Sequence, residues 1–291
     1  MEAAVTTSAK VILDSISPAG IRLTSIELSM PRSILAQFNT HRVFSRSAES
    51  TRAVPLQKRM AAVLDRPFVP EAFGKNRKGM QATELLDASD DIAARASWIQ
   101  GSIHAVNVAQ SLANLKVHKQ QAGRLLEPFA YVRVLVTATE WDNFRNLRVH
   151  HAADPEMQKL AVCIRDALAE SAPWPRTNHL PYLREGETDV NLSVARCARV
   201  SYDRLGDATT DDAHLAHTLR QAGHMGPFEH QAVPFSDMHW SVVREMQRVI
   251  RESALPVLQR QQLHDQAEFL GNFRGWVQTR KTIPGEGVFV G

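Results

Sequence analysis

Cysteines, long apolar runs and signal-like segments are scarce or absent in this chain of 291 residues. The two cysteines, Cys163 and Cys197, exclude a disulfide scaffold and are typical of a reducing compartment. No apolar run approaches the roughly 18 residues that a membrane-spanning helix requires. The first residues hold no basic stretch followed by an apolar block, which argues against a secretory signal. We therefore expect a cytoplasmic globular protein that does not enter a membrane.

Lysine is also scarce: eight of the 34 basic residues are lysines, which leaves 26 arginines. The net charge of +3 is too small for a broad nucleic-acid-binding face, and no aromatic stripe accompanies the arginines, so we expect no nucleic acid partner. The planar guanidinium of arginine can bind phosphate or carboxylate with two parallel hydrogen bonds. The excess of arginine therefore favours a small anionic ligand. Codon preference in a high-GC genome also explains the excess of arginine over lysine. Individual motifs are therefore needed to decide whether the arginines bind an anionic ligand.

The order of predicted strands and helices does not fit a doubly wound parallel sheet. Alternating apolar and polar residues predict strands at 11–16, 21–28, 131–136 and 232–235. Apolar residues at helical spacing predict helices over 31–44, 82–115, 155–172, 191–200, 211–223 and 258–269. This irregular alternation predicts an α+β or mixed α/β fold. The chain holds no phosphate-binding glycine loop, dinucleotide fingerprint or nucleophile elbow.

The segment 37–52 has the composition of an anion-binding loop. It places Arg42, Arg46 and Arg52 with one histidine and three serines at the end of a predicted helix and in the loop after it. Backbone N–H groups, hydroxyls and guanidinium forks are the groups that bind a phosphate ester. A solvated basic loop has the same composition, so this segment alone leaves both interpretations open.

Two further segments concentrate polar side chains. In 140–151, Arg145 and Arg148 share a helical face, which is either a ligand-binding pair or an exposed charged stripe. In 224–230, two histidines and a glutamate surround Pro227, but their spacing matches no common zinc pattern, so we expect no metal site. A turn that stacks around a planar ligand fits this segment better, with structural histidines as the alternative. Both cysteines lie among apolar or small residues, which predicts inert thiols.

Together these segments resemble the flavin-dependent thymidylate synthases, also called thymidylate synthase complementing proteins. That family has a helix with Gln-x-x-Arg-His-Arg-x-x-Ser, followed by Asn-Glu-x-Ser-x-Arg, a frame that residues 37–52 follow. Its Ala-Arg-x-x-x-Pro element resembles 123–128, and its Asn-Phe-Leu-x-Leu-Arg run resembles 143–148. With two further motifs, five segments stand in one consistent cyclic order.

The motif order is circularly permuted relative to that family. An Ala-Ala-Arg-Val-x-Tyr helix and a Gly-His-x-Ser-Pro-Phe-Glu-His turn open the family's order, whereas their counterparts here, 197–202 and 223–230, come last. The break falls within the strand after this turn, since 232–235 and 23–28 both resemble parts of it. Permutation is tolerated where the old termini can be joined and the new cut lies at a surface connection.

Several positions depart from the family's motifs. Thr40 replaces the first arginine of Arg-His-Arg, and Gly226 replaces the serine or threonine of the turn. Ser47 and Ala48 replace the Asn-Glu pair, and Asp154 stands where glutamine is usual. These departures motivate an alternative: the same fold acting on another pyrimidine nucleotide, by hydroxymethylation or on a cytidylate.

The resemblance implies an enzyme that methylates dUMP at C5 to dTMP, with FAD as cofactor and NADPH and methylenetetrahydrofolate as co-substrates. Arg148 is the expected catalytic residue, because a fixed guanidinium stabilises negative charge that develops on the pyrimidine. The residues expected to bind the nucleotide are Gln37, Ser50, Arg52, Arg124 and Arg148. The residues expected to line the flavin are Thr40, His41, Arg42, Ser45, Asn143, His224 and Gly226.

The resemblance also implies a single domain over 1–291, with a central, mostly antiparallel sheet flanked by helices. Within it, 1–170 holds the nucleotide and flavin motifs, and 190–236 is the permuted segment with the histidine turn. Members of the family are homotetramers whose active sites draw residues from several subunits, and we expect the same here. A nucleic-acid-binding protein and a flavin-free relative of the same fold are more distant alternatives.

Overall fold

In the computed structural model of the chain, residues 6–79, 81–201, 212–235, 248 and 271–283 are described. Their centre is a five-stranded sheet with the order β3-β4-β2-β1-β5. In chain order the strands are β1 (Ser8–Ile16), β2 (Arg22–Pro31), β3 (Ser45–Ala48), β4 (Tyr131–Ala138) and β5 (Trp174–Pro175). The first four pair antiparallel, and β5 runs parallel to β1. The predicted mostly antiparallel sheet and its strands at 11–16, 21–28 and 131–136 are confirmed.

The central strands β2 and β4 have one apolar face and one face with hydroxyl groups. Alternate residues of a strand point to opposite faces, so the pairing of the two strands decides which side chains meet. On one face Ile26 of β2 lies opposite Val136 of β4, both fully buried in the main core. On the other face Ser25 lies opposite Thr137, and their hydroxyl oxygens are 2.6 Å apart. The second face therefore requires polar partners.

Helix α6 (Pro155–Glu170) covers the apolar face. Pro155 stands in its first turn, and Asp154 accepts hydrogen bonds of 3.1 Å from the backbone N–H groups of Glu156 and Met157. Its buried residues recur at helical spacing: Met157, Leu160, Ala161, Ile164 and Leu168. Each fully buried leucine or isoleucine stabilises the fold by about 1.5–3 kcal/mol. The helix predicted at 155–172 is confirmed.

A second core lies between α2 (Leu56–Asp65), α3 (Ala88–Asn114), α4 (Lys119–Ala122) and a 3₁₀ helix, Gly123–Phe129. The helix predicted at 82–115 is wrong in its first turn. Lys75 N donates to the carbonyl of Glu84, and Gly74 forms a bridge with Leu85, so this stretch is extended and the helix begins after it. Helix α3 is 27 residues long, but no helix in the described part of the chain is long and apolar enough to span a membrane.

The C-terminal part covers the hydroxyl face of the sheet. It contains α7 (Val190–Ala198), α8 (Asp212–Gln221), a 3₁₀ turn at Gly226–Glu229 and an antiparallel pair, β6 (Ala232–Pro234) with β7 (Trp276–Gln278). Leu23 of β2 and Ala232 of β6 share a small core with Trp276. The helices predicted at 191–200 and 211–223 and the strand at 232–235 are confirmed within two residues. The helix predicted at 258–269 lies outside the described residues.

The helix predicted at 31–44 is wrong beyond Phe38. A 3₁₀ turn, Arg32–Ile34, leads into α1 (Leu35–Phe38), and the chain then turns into β3. Arg46 Nη1 donates to the carbonyls of Asn39, at 3.1 Å, and His41, at 2.6 Å. A side chain from β3 thus satisfies two carbonyls of the turn, which removes the need for further helical hydrogen bonds. Apolar spacing could not reveal this contact, because Arg46 acts from the following strand.

Candidate active site

Arg148 and His41, 107 residues apart in sequence, meet where α5 (Asp142–Arg148) packs against the turn before β3. Arg148 Nε donates a hydrogen bond of 3.0 Å to His41 Nε2. The His41 ring packs edge-on against Phe144 of α5, with ring centroids 4.8 Å apart. Among the described residues, the two Nη groups of Arg148 have no hydrogen-bond partner. The guanidinium is therefore held at one atom and has two further donors for a ligand.

The bond to Arg148 requires an uncharged His41. Nε2 accepts, so Nδ1 has to hold the ring proton. The pKa of His41 is lowered, first by burial and then by the charges of Arg148 and Arg46. His41 is 8% exposed, which limits the water that could stabilise its charged form. The imidazole therefore stays neutral near pH 7 and orients the arginine without adding a charge.

An open cleft of about 500 Å³ lies between α1 and the 3₁₀ helix that follows α4. The residues that line it are Arg32, Ser33, Leu35, Ala36, Asn39, Arg124, Glu127 and Pro128. At its rim, the backbone carbonyl of Asn39 accepts a hydrogen bond from Arg46 Nη1, which also donates to the carbonyl of His41. The cleft therefore adjoins the turn that holds the His41–Arg148 pair. Arg124, predicted to bind the nucleotide, lies in the cleft with an exposed side chain.

Positive charge exceeds negative charge around this cleft. Arg32 Nε lies 3.4 Å from Glu127 Oε1, and its Nη1 lies 3.5 Å from the carbonyl of Glu49. Burial is the largest cause that lowers the pKa of Arg59. The charges of two carboxylates, Glu127 and Glu49, and of two arginines, Arg32 and Arg124, also act on this guanidinium. Within the described chain, Arg59 Nη1 and Nη2 are buried and have no hydrogen-bond partner. Glu127 Oε1 is likewise buried without a hydrogen-bond partner among the described residues. The exposed guanidinium of Arg124 is the group of this set that an anionic ligand could reach directly.

Ser50 and Arg52 lie in the loop between β3 and α2. Arg52 N donates to Ser50 Oγ at 3.3 Å, and Ser50 N donates to Ser201 Oγ at 2.9 Å. The carbonyl of the preceding residue, Glu49, is the one that Arg32 contacts. The structure thus brings together the 197–202 motif, this loop and the edge of the cleft. The exposed side chain of Arg52 has no partner in the described part of the chain.

Ser45 lies in a different setting from the one predicted. Its hydroxyl is fully buried and contacts Gln278 Nε2, at 2.8 Å, and Asn272 Nδ2, at 3.4 Å. Gln278 Nε2 also donates to the carbonyl of Glu229 in the histidine turn, at 2.7 Å. Ser45 therefore links β3 to the C-terminal layer, and this contact leaves its predicted role at the flavin untested.

The remaining candidates lie on the surface or in turns. Thr40 donates to the carbonyl of Gln37 at 2.7 Å and closes the turn after α1. The side chains of Arg42, Asn143 and His224 are exposed and have no hydrogen-bond partner among the residues described. The remaining candidate, Gly226, opens its 3₁₀ turn with free space on its Cβ side. In the described ranges, no three His, Cys, Asp or Glu side chains converge as metal ligands.

Sequence reasoning missed Arg32 and Arg59 as parts of the site, and it named Arg46 only as a member of the segment 37–52. Arg32 lay in the first turn of the helix predicted at 31–44, whereas in the structure it directly follows Pro31, the last residue of β2. Arg59 was hidden in an ordinary amphipathic helix, where charged residues are usually solvated. The signal that could have found it is Gly123, because a Cβ there would overlap Arg59 Nη1. The glycine therefore leaves room for the guanidinium.

The free energy of unfolding is expected to fall as the pH drops below 6.5, in part because of His179. This histidine is fully buried, and burial, followed by the charges of Arg176 and His230, lowers its pKa from 6.5 to about 3. The unfolded chain takes up this proton first, so each pH unit in that window costs about 1.4 kcal/mol. Urea unfolding between pH 6.5 and 4.5 should show a shallower slope for His179→Gln. The exposed His104→Gln is the control, and equal slopes for all three proteins would contradict the prediction.

Comparison with known proteins identifies the family. Residues 17–174, more than half of the chain, match the family described as thymidylate synthase complementing protein. The chain belongs to the thymidylate synthase complementing protein family, which confirms the resemblance found in the motifs. The match ends before α7, so the permuted segment lies outside it. No curated protein matches the chain.

Two solved structures are similar to this chain at low sequence identity. A UMP/dUMP methylase, PolB from Streptomyces cacaoi bound with 5-Br UMP, is 14% identical, with a TM-score of 0.48, 57% of this chain covered and 89% of that chain. The flavin-dependent thymidylate synthase ThyX from Helicobacter pylori, complexed with FAD and dUMP, is 20% identical, with a TM-score of 0.35, 50% of this chain covered and 67% of that chain.

Proposed function

We propose that this protein methylates dUMP at C5 of the uracil ring to form dTMP, with methylenetetrahydrofolate as one-carbon donor and NADPH as reductant. Family membership supports this reaction, and the observation that carries it is the His41–Arg148 pair beside an arginine-rich cleft. The pair offers donors to a pyrimidine, and the cleft offers charge to a phosphate. A nucleoside monophosphate contains both groups on one small molecule.

In this proposal Arg124 and Arg32 bind the nucleotide phosphate in the cleft, with Arg52 and Ser50 at its edge. Charge-assisted hydrogen bonds from guanidinium to phosphate are short and can form in pairs. The unpaired donors of Arg59 behind Gly123 add positive potential that a dianion compensates. Gln37 on α1 is the further candidate for the nucleotide.

Arg148 polarises the pyrimidine in this proposal. Bond formation at C5 is helped when negative charge that develops at N3 and O2 meets a fixed donor. Neutral His41 holds Arg148 Nε, so the Nη groups are oriented before the ligand binds. A charged hydrogen bond of this kind contributes about 1.5–3 kcal/mol. His41 acts here as a positioning residue.

The residues proposed for FAD fit a diphosphate-bearing cofactor. Arg42 and Asn143 are exposed donors without partners in the described chain, and His224 with Gly226 forms an open turn. When bound, the flavin supplies electron transfer between NADPH and the one-carbon unit. No nucleophilic thiol is required: Cys197 is fully buried, and burial raises the pKa of Cys163.

Reconstitution tests this function. The purified protein is mixed with FAD, and its visible spectrum is recorded before and after addition of NADPH, methylenetetrahydrofolate and either dUMP or dCMP. We expect a bound flavin spectrum, bleaching by NADPH and formation of dTMP from dUMP. A protein that does not bind FAD would contradict the flavoenzyme assignment. Turnover with dCMP alone would establish the alternative of another pyrimidine nucleotide, which Thr40 and Ser47 motivate.

Replacing Arg124 by alanine is expected to raise KM for dUMP about 10- to 100-fold, the range of one lost charge-assisted hydrogen bond. The value of kcat should change less, because the phosphate is remote from C5. Deoxyuridine, which lacks the phosphate, should bind equally to wild type and Arg124→Ala. The exposed Arg77→Ala controls for net charge. A similar loss with deoxyuridine would show that Arg124 does not act through the phosphate.

We also propose that the protein is a cytoplasmic homotetramer. Helix α3 exposes Ile92, Ile99 and Ile103, which are 68%, 40% and 36% exposed. Apolar residues on one long helix are typical of a surface that another subunit covers. Light scattering coupled to size-exclusion chromatography measures the mass, and a monomer at micromolar concentration would contradict the tetramer.

A further inference from the structure

Six side chains from different segments form one continuous hydrogen-bonded chain across the polar face of the sheet. Ser15 Oγ lies 2.8 Å from His179 Nδ1, and His179 Nε2 lies 2.8 Å from Ser25 Oγ. Ser25 Oγ lies 2.6 Å from Thr137 Oγ1, which is 2.9 Å from His230 Nδ1. His230 Nε2 then lies 2.9 Å from Ser47 Oγ. The chain runs from β1 through β2 and β4 to β3.

The hydrogen bonds of this chain all have to point the same way. A hydroxyl has one proton, so Ser25, placed between two partners, donates to one and accepts from the other. The same holds for Thr137. A neutral imidazole likewise donates from one ring nitrogen and accepts at the other. The pKa of His179 is lowered to about 3 by its burial, so this ring is neutral at pH 7. With His230 neutral as well, the two histidines share one tautomer.

The two ends of the chain differ in their access to other partners. Ser15 is fully buried, and His179 is the hydrogen-bond partner of its hydroxyl among the described residues. If His179 donated to Ser15, the buried Ser15 proton would have no acceptor, which costs about 1–3 kcal/mol. Ser47 at the other end is partly exposed, so its proton can meet water or a ligand. The favoured direction therefore begins at Ser15 and ends at Ser47.

We propose that this chain fixes Ser47 as a hydrogen-bond donor to the bound ligand, with both His179 and His230 protonated at Nε2. His230 donates to Ser47 Oγ, and the Ser47 proton is left for an acceptor such as a carbonyl or phosphate oxygen. Ser47 lies on β3 between Arg46, which holds the His41 turn, and Glu49, which contacts Arg32 at the cleft. The chain thus ends at a partly exposed serine on the strand that also holds Arg46.

The tautomers of the two histidines test the direction of the chain without any ligand. Two-bond proton–nitrogen NMR spectra of the ¹⁵N-histidine-labelled protein at pH 7 should show Nε2 protonated and Nδ1 unprotonated for both rings, assigned with His179→Gln and His230→Gln. Protonation at Nδ1 in either ring, or at both nitrogens, would overturn the proposal. This outcome does not depend on the proposed function.

Thr137→Val tests the coupling, because valine keeps the shape and removes the hydroxyl. His179 should keep its Nε2 proton, since Ser15 still donates to its Nδ1. The tautomer populations of His230 should shift relative to wild type, because its Nδ1 loses the hydrogen bond from Thr137. Thr139→Val, which removes a hydroxyl that accepts from Arg274 N outside the chain, is the matched control. An unchanged His230 in Thr137→Val would overturn the coupling.

Ser47→Ala tests the donor role at the site, and this arm rests on the proposed function. Affinities for dUMP and for FAD are measured separately by isothermal titration. We expect one of them to weaken about three- to tenfold, the range of one neutral hydrogen bond, and Ser47→Thr to restore it. Unchanged affinity for both ligands would overturn the donor role, even where the NMR result supports the chain and reconstitution supports the function.

Discussion

Replacing Arg148 by alanine is expected to lower kcat for dUMP about 10²- to 10³-fold, the loss seen when a fixed donor is removed from developing charge. Arg148 lies at the last position of α5, half-buried, and its one described hydrogen bond is to His41. Arg148 is not part of the main core, so its removal creates no cavity there. Far-UV circular dichroism and the urea midpoint should therefore stay close to those of wild type.

Two companion variants make the Arg148 test specific. Arg145→Ala removes an exposed arginine of the same helix, paired at 3.4 Å with exposed Asp142, and should leave kcat unchanged. Arg148→Lys keeps the charge without the planar fork, and we expect it to recover little of the lost activity. Wild-type kcat in Arg148→Ala would show that Arg148 has no role in the chemical step.

Glu187→Gln is expected to lower the free energy of unfolding by about 3 kcal/mol, because it leaves a buried guanidinium without its main counter-charge. Arg196 is 2% exposed and donates to both carboxylate oxygens of Glu187, at 2.5 and 2.8 Å, and to the carbonyl of Tyr182, at 2.7 Å. Asp212 lies 3.9 Å from Arg196 Nε and is shared with Arg199. Urea unfolding at pH 7 measures the loss.

The pH dependence and a double variant distinguish charge from packing. The hydrogen bonds from Arg196 lower the pKa of Glu187 from 4.5 to about 2. Its contribution to stability is present above pH 4.5 and is lost as the pH falls towards 2, so Glu187→Gln should lack this part of the acid transition. Glu187→Leu with Arg196→Met should regain much of the loss, since apolar groups replace a buried pair well. Glu185→Gln, exposed and adjacent, should change nothing measurable.

Local patterning was sufficient for three of the five strands of the sheet, β1, β2 and β4, and for α6. Strand β2 was predictable because apolar residues alternate with polar ones along it, and a strand has a period of two. Helix α6 was predictable from Pro155 and apolar residues at helical spacing, and the structure adds the Asp154 cap. The alternation also indicated part of the hydroxyl face, since Ser25 lies on a predicted strand and Thr137 directly follows one. Their neighbours across the sheet, and therefore their partners, were not visible in either strand alone.

Long-range contacts caused the errors and the omissions. Phe38 ends α1 because Arg46, from the next strand, binds the carbonyls of the turn. Candidate residues in 37–52 and 143–148 came from motifs, and the structure brings His41 and Arg148 of these segments into contact. Other members, such as Arg42 and Asn143, are exposed, and their roles stay predictions. Arg59 was missed because its significance depends on Gly123, 64 positions further along the chain.

By itself, the sequence determined β1, β2 and β4 of the sheet, helix α6, the family and the scarcity of thiols, because these depend on neighbouring residues or on motifs read in order. Tertiary structure alone decided that Arg148 meets His41, that Arg32 and Arg124 line one cleft close to the buried Arg59, and that Ser15 connects to Ser47 through two histidines. These arrangements join residues up to 183 positions apart, as in the bond between Ser47 and His230. No local period encodes such distances, so the folded chain has to bring the partners together.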